Sequence, residues 1–258
     1  MTDIYNDDSY IVNNPTLHSE DSEFKFNNIL RFLNLIEIKE NKIKILDVGG
    51  GAGLIGKRVM KYYARKDIIV TLHSLDLSLK MLKIQRLNNP KIKKLINCSI
   101  EECEELNYDL VLMIDVIEHI PNKNISAKTI NRLSKNIIYN IPIEINLFDY
   151  IKNISLLFRY YKNQRKTLGH VHFFSFKSAT EFLKKHHKIS ESHFNPYCFY
   201  FRDSDFRDYV DLRKNILRKI EINISCWIHS KMGKLSKYLI QGSIYSLVKT
   251  KNHKEFYN

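Results

Sequence analysis

The chain is 258 residues long, 44% hydrophobic and 27% charged, with a formal net charge of +13. That length suits one domain with a sizeable core, or one domain plus an insertion, and no apolar run reaches the roughly 20 residues of a bilayer span. Four scattered cysteines without C-x-x-C spacing, and a polar, acidic stretch over residues 1–14, disfavour a disulfide scaffold, structural zinc and a signal or transit peptide; a reduced, cytoplasmic setting is expected. Residues 1–150 hold 20 Lys/Arg against 20 Asp/Glu, whereas residues 151–258 hold 21 against 8. The basic part suits an anionic substrate, a membrane surface or a nucleic acid nearby, or only a solvated face.

In chain order, residues 1–20 read as a polar arm, and Asp21 or Ser22 is placed to cap a helix bearing Phe24, Phe26, Ile29, Leu30, Leu33 and Ile36. Ile43, Ile45, Leu46 and Val48 have strand character, and five of the eight glycines follow within 49–56. Helical spacing resumes over 54–65, and a strand over 68–75 ends at Asp76. A helix over 77–88 stops at Asn89-Pro90. A third strand (94–98) leads into an acidic turn, and the fourth (108–114) is a continuous apolar run suited to burial on both faces. A helix over 124–134 and a fifth strand over 136–141, closed by Pro142, complete an alternation that predicts a parallel, doubly wound α/β sheet. Beyond it come an aromatic stretch (143–161), a basic one (162–166) and Gly169-His170-Val171-His172-Phe173-Phe174. A helix over 177–187, a strand near 189–194, a charged helical stretch over 203–224 and a final strand over 242–250 finish the chain.

Gly51-Ala52-Gly53-Leu54-Ile55-Gly56 fits G-x-G-x-x-G, and Asp76 lies 20 residues beyond it, as in a dinucleotide fingerprint. Asp47 contradicts that ligand. A carboxylate at the mouth of the loop repels a pyrophosphate and offsets the helix N-terminus that would attract it. S-adenosylmethionine carries an ammonium and a sulfonium and no phosphate, so an acid at the strand end suits it, and Asp76 is placed to accept from ribose hydroxyls.

Asp47-Val48-Gly49-Gly50-Gly51-Ala52-Gly53 resembles the first motif of the class I S-adenosylmethionine-dependent methyltransferases, and Ser74-Leu75-Asp76-Leu77-Ser78 the second. Asn107-Tyr108-Asp109-Leu110-Val111 through Asp115-Val116-Ile117-Glu118-His119-Ile120-Pro121 resembles the fourth-strand signature of their small-molecule (type 11/12/23-like) branch. Asn14-Pro15-Thr16-Leu17-His18, Glu20-Asp21-Ser22 and Gly169–Phe174 are similar to a bacterial group of poorly defined substrate. The resemblance implies a seven-stranded, mostly parallel, Rossmann-like sheet with an N-terminal helical cap and a late helical insertion. It divides the chain into an arm and cap (1–42) and a methyltransferase domain (43–258) with a substrate lid over 143–175 and an insertion over 200–240. It implies cofactor contacts from Asp47, Gly49, Gly50, Gly51, Gly53, Asp76, Leu77, Ser99, Ile100 and Ile114. Many relatives place an Asp after the third strand for the adenine amino group; here Cys98-Ser99-Ile100-Glu101 stands instead, so Ser99 or backbone groups take that role.

A neutral hydroxyl acceptor needs a base, for which His119 and His172 are the candidates, with His170 beside them; each also reads as a packing residue. His18 reads as part of a lid or as a cap. Asp115, Glu118 and His119 form D-x-x-E-H, which could share a helical face around a divalent ion, but a structural role is the expectation and no metal is predicted. Phe148, Tyr150, Phe158, Tyr160 and Tyr161 either line a substrate pocket or pack on the sheet. The expected activity is O-methylation of a small or carrier-linked metabolite such as a sugar, the acceptor allowed to be anionic, with peripheral membrane contact allowed. The alternatives are RNA methylation and a non-catalytic cofactor-binding or interaction protein; an NAD oxidoreductase rests on G-x-G-x-x-G alone.

Overall fold

The computed structural model describes residues 16, 17 and 19–251; the Asn14-Pro15 pair and His18 lie outside them. Seven strands form one sheet in the order β3-β2-β1-β4-β5-β7-β6. They are β1 (Lys42–Val48), β2 (Ile69–Leu75), β3 (Lys94–Ile96), β4 (Tyr108–Ile114), β5 (Ser134–Ile143), β6 (His187–Pro196) and β7 (Gly242–Thr250). Pairings among β1 to β5 are parallel, and β7 runs antiparallel to both β5 and β6. The expected mostly parallel, doubly wound architecture is therefore present.

The alternation of side chains along β4 shows how the sheet is buried on both faces. Leu110, Leu112 and Ile114 pack with Ile29, Phe32 and Leu33 of α1 (Ser22–Leu33) and with Val59 and Tyr63 of α2 (Leu54–Ala64). Val111 and Met113 face the opposite layer, with Ala127, Ile130 and Leu133 of α4 (Lys123–Leu133) and Ala179, Phe182 and Leu183 of α7 (Phe176–His186). The second crossover helix, α3 (Leu79–Asn88), starts at Ser78, whose hydroxyl accepts from Met81 N at 3.3 Å.

Three sequence expectations change. Pro142 lies inside β5, because β4 pairs only as far as Asn140 and the missing N–H is not needed on that side. The stretch 203–224 is not one helix but α8 (Cys198–Asp203), α9 (Arg207–Lys214) and α10 (Ile216–Met232), the last opened by Asn215, whose side chain accepts from Leu217 N and Arg218 N. The stretch 143–161 supplies α5 (Leu147–Ser155) and the start of α6 (Tyr160–Leu168).

Neither Asp21 nor Ser22 caps α1 with its side chain. Asp21 instead binds Lys25 at 2.7 Å, and Lys25 reaches Asp115 at the end of β4 at 2.5 Å. Burial alone would lower the Lys25 pKa, but the two carboxylates overcome it and hold the ammonium well above its ordinary range. Lys25→Ala leaves two poorly hydrated acids without their cation and is expected to cost about 3 kcal/mol in a urea melt at pH 7. The loss should shrink in a background that also carries Asp21→Asn and Asp115→Asn; an equal loss in that background would contradict the ionic account.

Candidate functional site

The C-terminal ends of β1, β2 and β4 lie level, since Val48 pairs with both Leu75 and Met113. Gly49 N–H donates to Leu75 O at 2.8 Å, which ties the glycine loop to β2. Gly49 and Gly51 adopt positive φ (57° and 53°), the turn that brings the chain from strand to helix. Gly50 and Gly56 serve another purpose. A Cβ on either would lie 2.6 Å from Oδ2 of Asp47, so these glycines make room for a carboxylate held beneath the loop. Asp47 is 2% exposed, and its Oδ2 has no hydrogen-bond partner among the described residues. Burial, then the charge of Asp76, pushes its carboxyl up to about 7, against an opposing pull from the Gly56 N–H.

Beyond this loop opens a cavity of about 420 Å³. One wall is Asp47, Gly49, Gly50, Gly51 and Ile114; Lys25, Asp21 and Tyr200 reach it from the side of α1 and α8. The lining continues with Asp115, Glu118, His119, Glu144, His170 and Gln241, and with Tyr160 and Gln164 of α6. Six carboxylic acids line it (Glu20, Asp21, Asp47, Asp115, Glu118 and Glu144) against a single lysine.

The order of the two loop histidines decides their roles. The loop is stitched to the turn after β4 by Val171 N–H and His172 N–H, both donating to Glu118 O at 3.0 Å. Nε2 of His172 donates to Ile120 O and Pro121 O at 3.0 and 3.1 Å, which fastens that turn and keeps the ring out of the cavity wall. His170, two residues earlier, is 7% exposed and does line the cavity. Its Nδ1 donates to both oxygens of Glu144 at 2.9 Å, which fixes the tautomer and directs Nε2 away from the carboxylate. Burial pushes the Glu144 carboxyl up, and the His170 hydrogen bond pulls it back. His119 packs edge-on against His170, with ring centroids 4.7 Å apart.

Glu118 is fully buried, with neither carboxyl oxygen hydrogen-bonded among the described residues and His119 Nε2 3.9 Å from Oε1; burial, then Asp115, holds its pKa well above the carboxylate range. One ligand atom each from Glu118, His119 and His170 lies within 4.8 Å of the others, so these three are the group among the described residues able to converge on a metal ion. Asp115 belongs elsewhere: at φ 54°, it accepts from Asn140 Nδ2 at 2.6 Å and binds Lys25.

Of the cofactor residues read from sequence, the cavity wall unites Asp47, Gly49, Gly50, Gly51 and Ile114. The others stand outside it. Asp76 accepts from Ser78 N at 2.9 Å and Gln85 Nε2 at 3.3 Å, and burial pushes its carboxyl up to about 6. A Cβ on Gly53 would lie 3.0 Å from Gln85 Cα, so this glycine serves the approach of α2 to α3. Ser99 closes a capping box with Glu102, Ile100 is a core residue, and Leu77 is exposed. Of the five aromatic candidates, Tyr160 alone lines the cavity; Phe148 joins the cluster around Cys198 and Ile222, while Tyr150 and Phe158 face outward. Sequence reasoning missed Lys25 and Glu144. Lys25 falls between Phe24 and Phe26 on a helix, where a lysine ordinarily faces water, and only its long-range partner Asp115 reveals it.

Alanine is ordinarily a better helix residue than glycine by about 1 kcal/mol. Gly56→Ala is expected to reverse that sign and cost about 1–3 kcal/mol through overpacking on Asp47. Urea denaturation checks it, and the double variant Asp47→Ala/Gly56→Ala should recover most of the loss. A stabilised single variant would show that the glycine does not serve the carboxylate.

Comparison with solved structures identifies the architecture. A protein of Bacillus halodurans assigned as a methyltransferase aligns with a TM-score of 0.54 at 15% identity, over 86% of this chain and 98% of its own. A protein of Galdieria sulphuraria assigned as a sarcosine dimethylglycine methyltransferase gives 0.56 at 13% identity, over 88% and 84%. The cyclase SpnF gives 0.54 at 10% identity, over 86% and 80%, so the fold is shared with a protein named for a different reaction. At these identities the likeness is one of fold, and no curated protein matches the sequence. Among the described residues, no helix is long and apolar enough to cross a membrane. A family model described as a methyltransferase domain matches residues 18–186, well over half of the chain, and the chain belongs to that family.

Proposed function

We propose that the protein transfers a methyl group from S-adenosylmethionine to a hydroxyl of a small or carrier-linked metabolite, such as a sugar. The observation that carries this reading is the buried His170–Glu144 pair, which lines the same cavity as the glycine loop and Asp47. The fit of the cofactor rests on Asp47, whose buried Oδ2 lacks a donor and suits a cationic group. The bound cofactor supplies a methyl carbon activated by a sulfonium. The chain's own residues hold the acceptor near that carbon, exclude water and take up the proton. His170 Nε2 is the base; Glu144 fixes its tautomer and stabilises the imidazolium that forms, as a carboxylate does behind a catalytic histidine. His119 lies against the same ring and orients the acceptor. This moves the base from His119 and His172 to His170.

The acidic lining supports a neutral, polyhydroxylated group in the cavity over an anionic one, and it also weighs against the RNA alternative, whose phosphates would meet six acids. The same surplus of acids favours a second reading, an amine acceptor. Transfer of labelled methyl groups into sugar, amine and RNA pools, resolved by mass spectrometry, separates these classes. Label in RNA alone would refute the small-molecule reading.

Three further outcomes are expected. A cation binds better to ionised Asp47, so cofactor affinity should rise with pH through about 7 and level off above it. One proton linked at that pKa gives about a tenfold weaker affinity at pH 6 than at pH 8 by calorimetry, and Asp47→Asn should flatten the profile. His170→Asn should lower kcat by about 10²–10³ with cofactor affinity unchanged. His172→Asn should retain kcat and lose about 1 kcal/mol of stability. Equal kcat losses in both variants would argue against a distinct role for His170. Activity should survive EDTA; loss restored by a divalent ion would transfer the role of the base to a metal at Glu118, His119 and His170.

A further inference from the structure

Exposed apolar side chains are concentrated in one part of the surface. Of the 24 large hydrophobic residues that are exposed among the described residues, eight fall within 145–158 and eight within 216–238. On α5, Leu147, Tyr150, Ile151 and Ile154 recur at i, i+3, i+4 and i+7, a single helical stripe that faces solvent. The chain then turns at Leu157 and Phe158, both at positive φ and exposed to 76% and 69%. On α10, Leu217, Ile220, Ile224 and Trp227 form a second outward stripe. The opposite side of that helix, through Ile222 and Cys226, is already buried in the protein's own cluster with Cys198 and Ile240. The two helices are neighbours: Phe148 of α5 packs on that cluster, and Lys152 forms an ion pair with Glu221.

Cations surround these stripes. Residues 145–168 carry five Lys/Arg against Asp149, which is itself buried and bound to Lys152, and residues 207–238 carry eight against three acids. A second copy of a chain with net charge +13 would be repelled by this surface. An anionic bilayer supplies what both features need: phosphates for the lysines and acyl chains for the stripes and the 157–158 tip. We infer that α5, the 157–158 tip and α10 form a face that binds the surface of an anionic lipid membrane. The face adjoins the cavity. Gln241 donates to Asp149 Oδ1 of α5 at 2.6 Å and to Tyr160 OH at 2.9 Å, and Gln241 and Tyr160 both line the cavity wall. A membrane-held acceptor would therefore approach the site from its own lid.

Trp227 is the sole tryptophan of the chain and stands on the α10 stripe, 62% exposed, so it reports directly on this face. The full-length protein is titrated with phosphatidylcholine vesicles, with and without one-third phosphatidylglycerol, at 0.15 M salt. The expected result is a blue shift of tryptophan emission and at least tenfold tighter binding to the anionic vesicles, weakened again at 0.5 M salt. Leu157→Ser/Phe158→Ser and Leu217→Ser/Ile220→Ser alter exposed side chains only. Each should lower vesicle binding at least fivefold with unchanged circular dichroism and unchanged S-adenosylmethionine affinity. The inference is overturned by equal binding to neutral and anionic vesicles, or by wild-type binding in both variants. It is also overturned by a blue shift that grows with protein concentration without lipid, or one elicited by RNA and not by vesicles. None of these outcomes depends on the methyl-transfer reading.

Discussion

A buried carboxylate with one oxygen left without a hydrogen-bond partner among the described residues is the constraint on which this structure depends. Asp47 sits beneath a loop whose glycines at 50 and 56 leave it space, at the level where β1, β2 and β4 end together. An unpaired buried charge is expensive, and the protein meets that cost partly by raising the pKa of the group to about 7. A cationic ligand relieves the remainder, whereas a pyrophosphate would aggravate it. The glycine pattern that imitates a dinucleotide fingerprint thus has a different physical origin here, because its last glycine serves a side chain of the protein and not a phosphate.

The histidine loop follows a second constraint, a bend at Val171 held by two hydrogen bonds. Glu118 O receives two N–H groups from the loop at residues 171 and 172, which sets the phase of that loop. His172 is thereby committed to the carbonyls of Ile120 and Pro121, and His170 to Glu144 and the cavity. Lys25 completes the enclosure by joining α1 to the end of β4 through Asp115. Glycine loop, His170 and α1 meet because three strand ends and two loops are tied by a few bonds.

The sheet was largely legible in the sequence. Val111 and Met113 alternating with Leu110, Leu112 and Ile114 make a run with no polar face, and the final strand at 242–250 agrees residue for residue. The site was legible where motif and strand end coincide, at Asp47, Gly49, Gly50, Gly51 and Ile114. It was not legible where a role depends on distant partners. Lys25 requires Asp115, 90 residues away, and the choice between His170 and His172 depends on a backbone pairing that spacing does not encode. The late helices were obscured for another reason: α10 is apolar on two sides, one packed and one exposed, which erases the single-stripe periodicity from which helices are read.

The preference of the Asp47 loop for a cationic, phosphate-free cofactor is open to direct measurement. Calorimetry of the wild-type protein with S-adenosylmethionine and with NAD, side by side at pH 8, tests it most directly. The account predicts saturable one-to-one binding of S-adenosylmethionine and no heat from NAD. Binding of NAD without S-adenosylmethionine would contradict it.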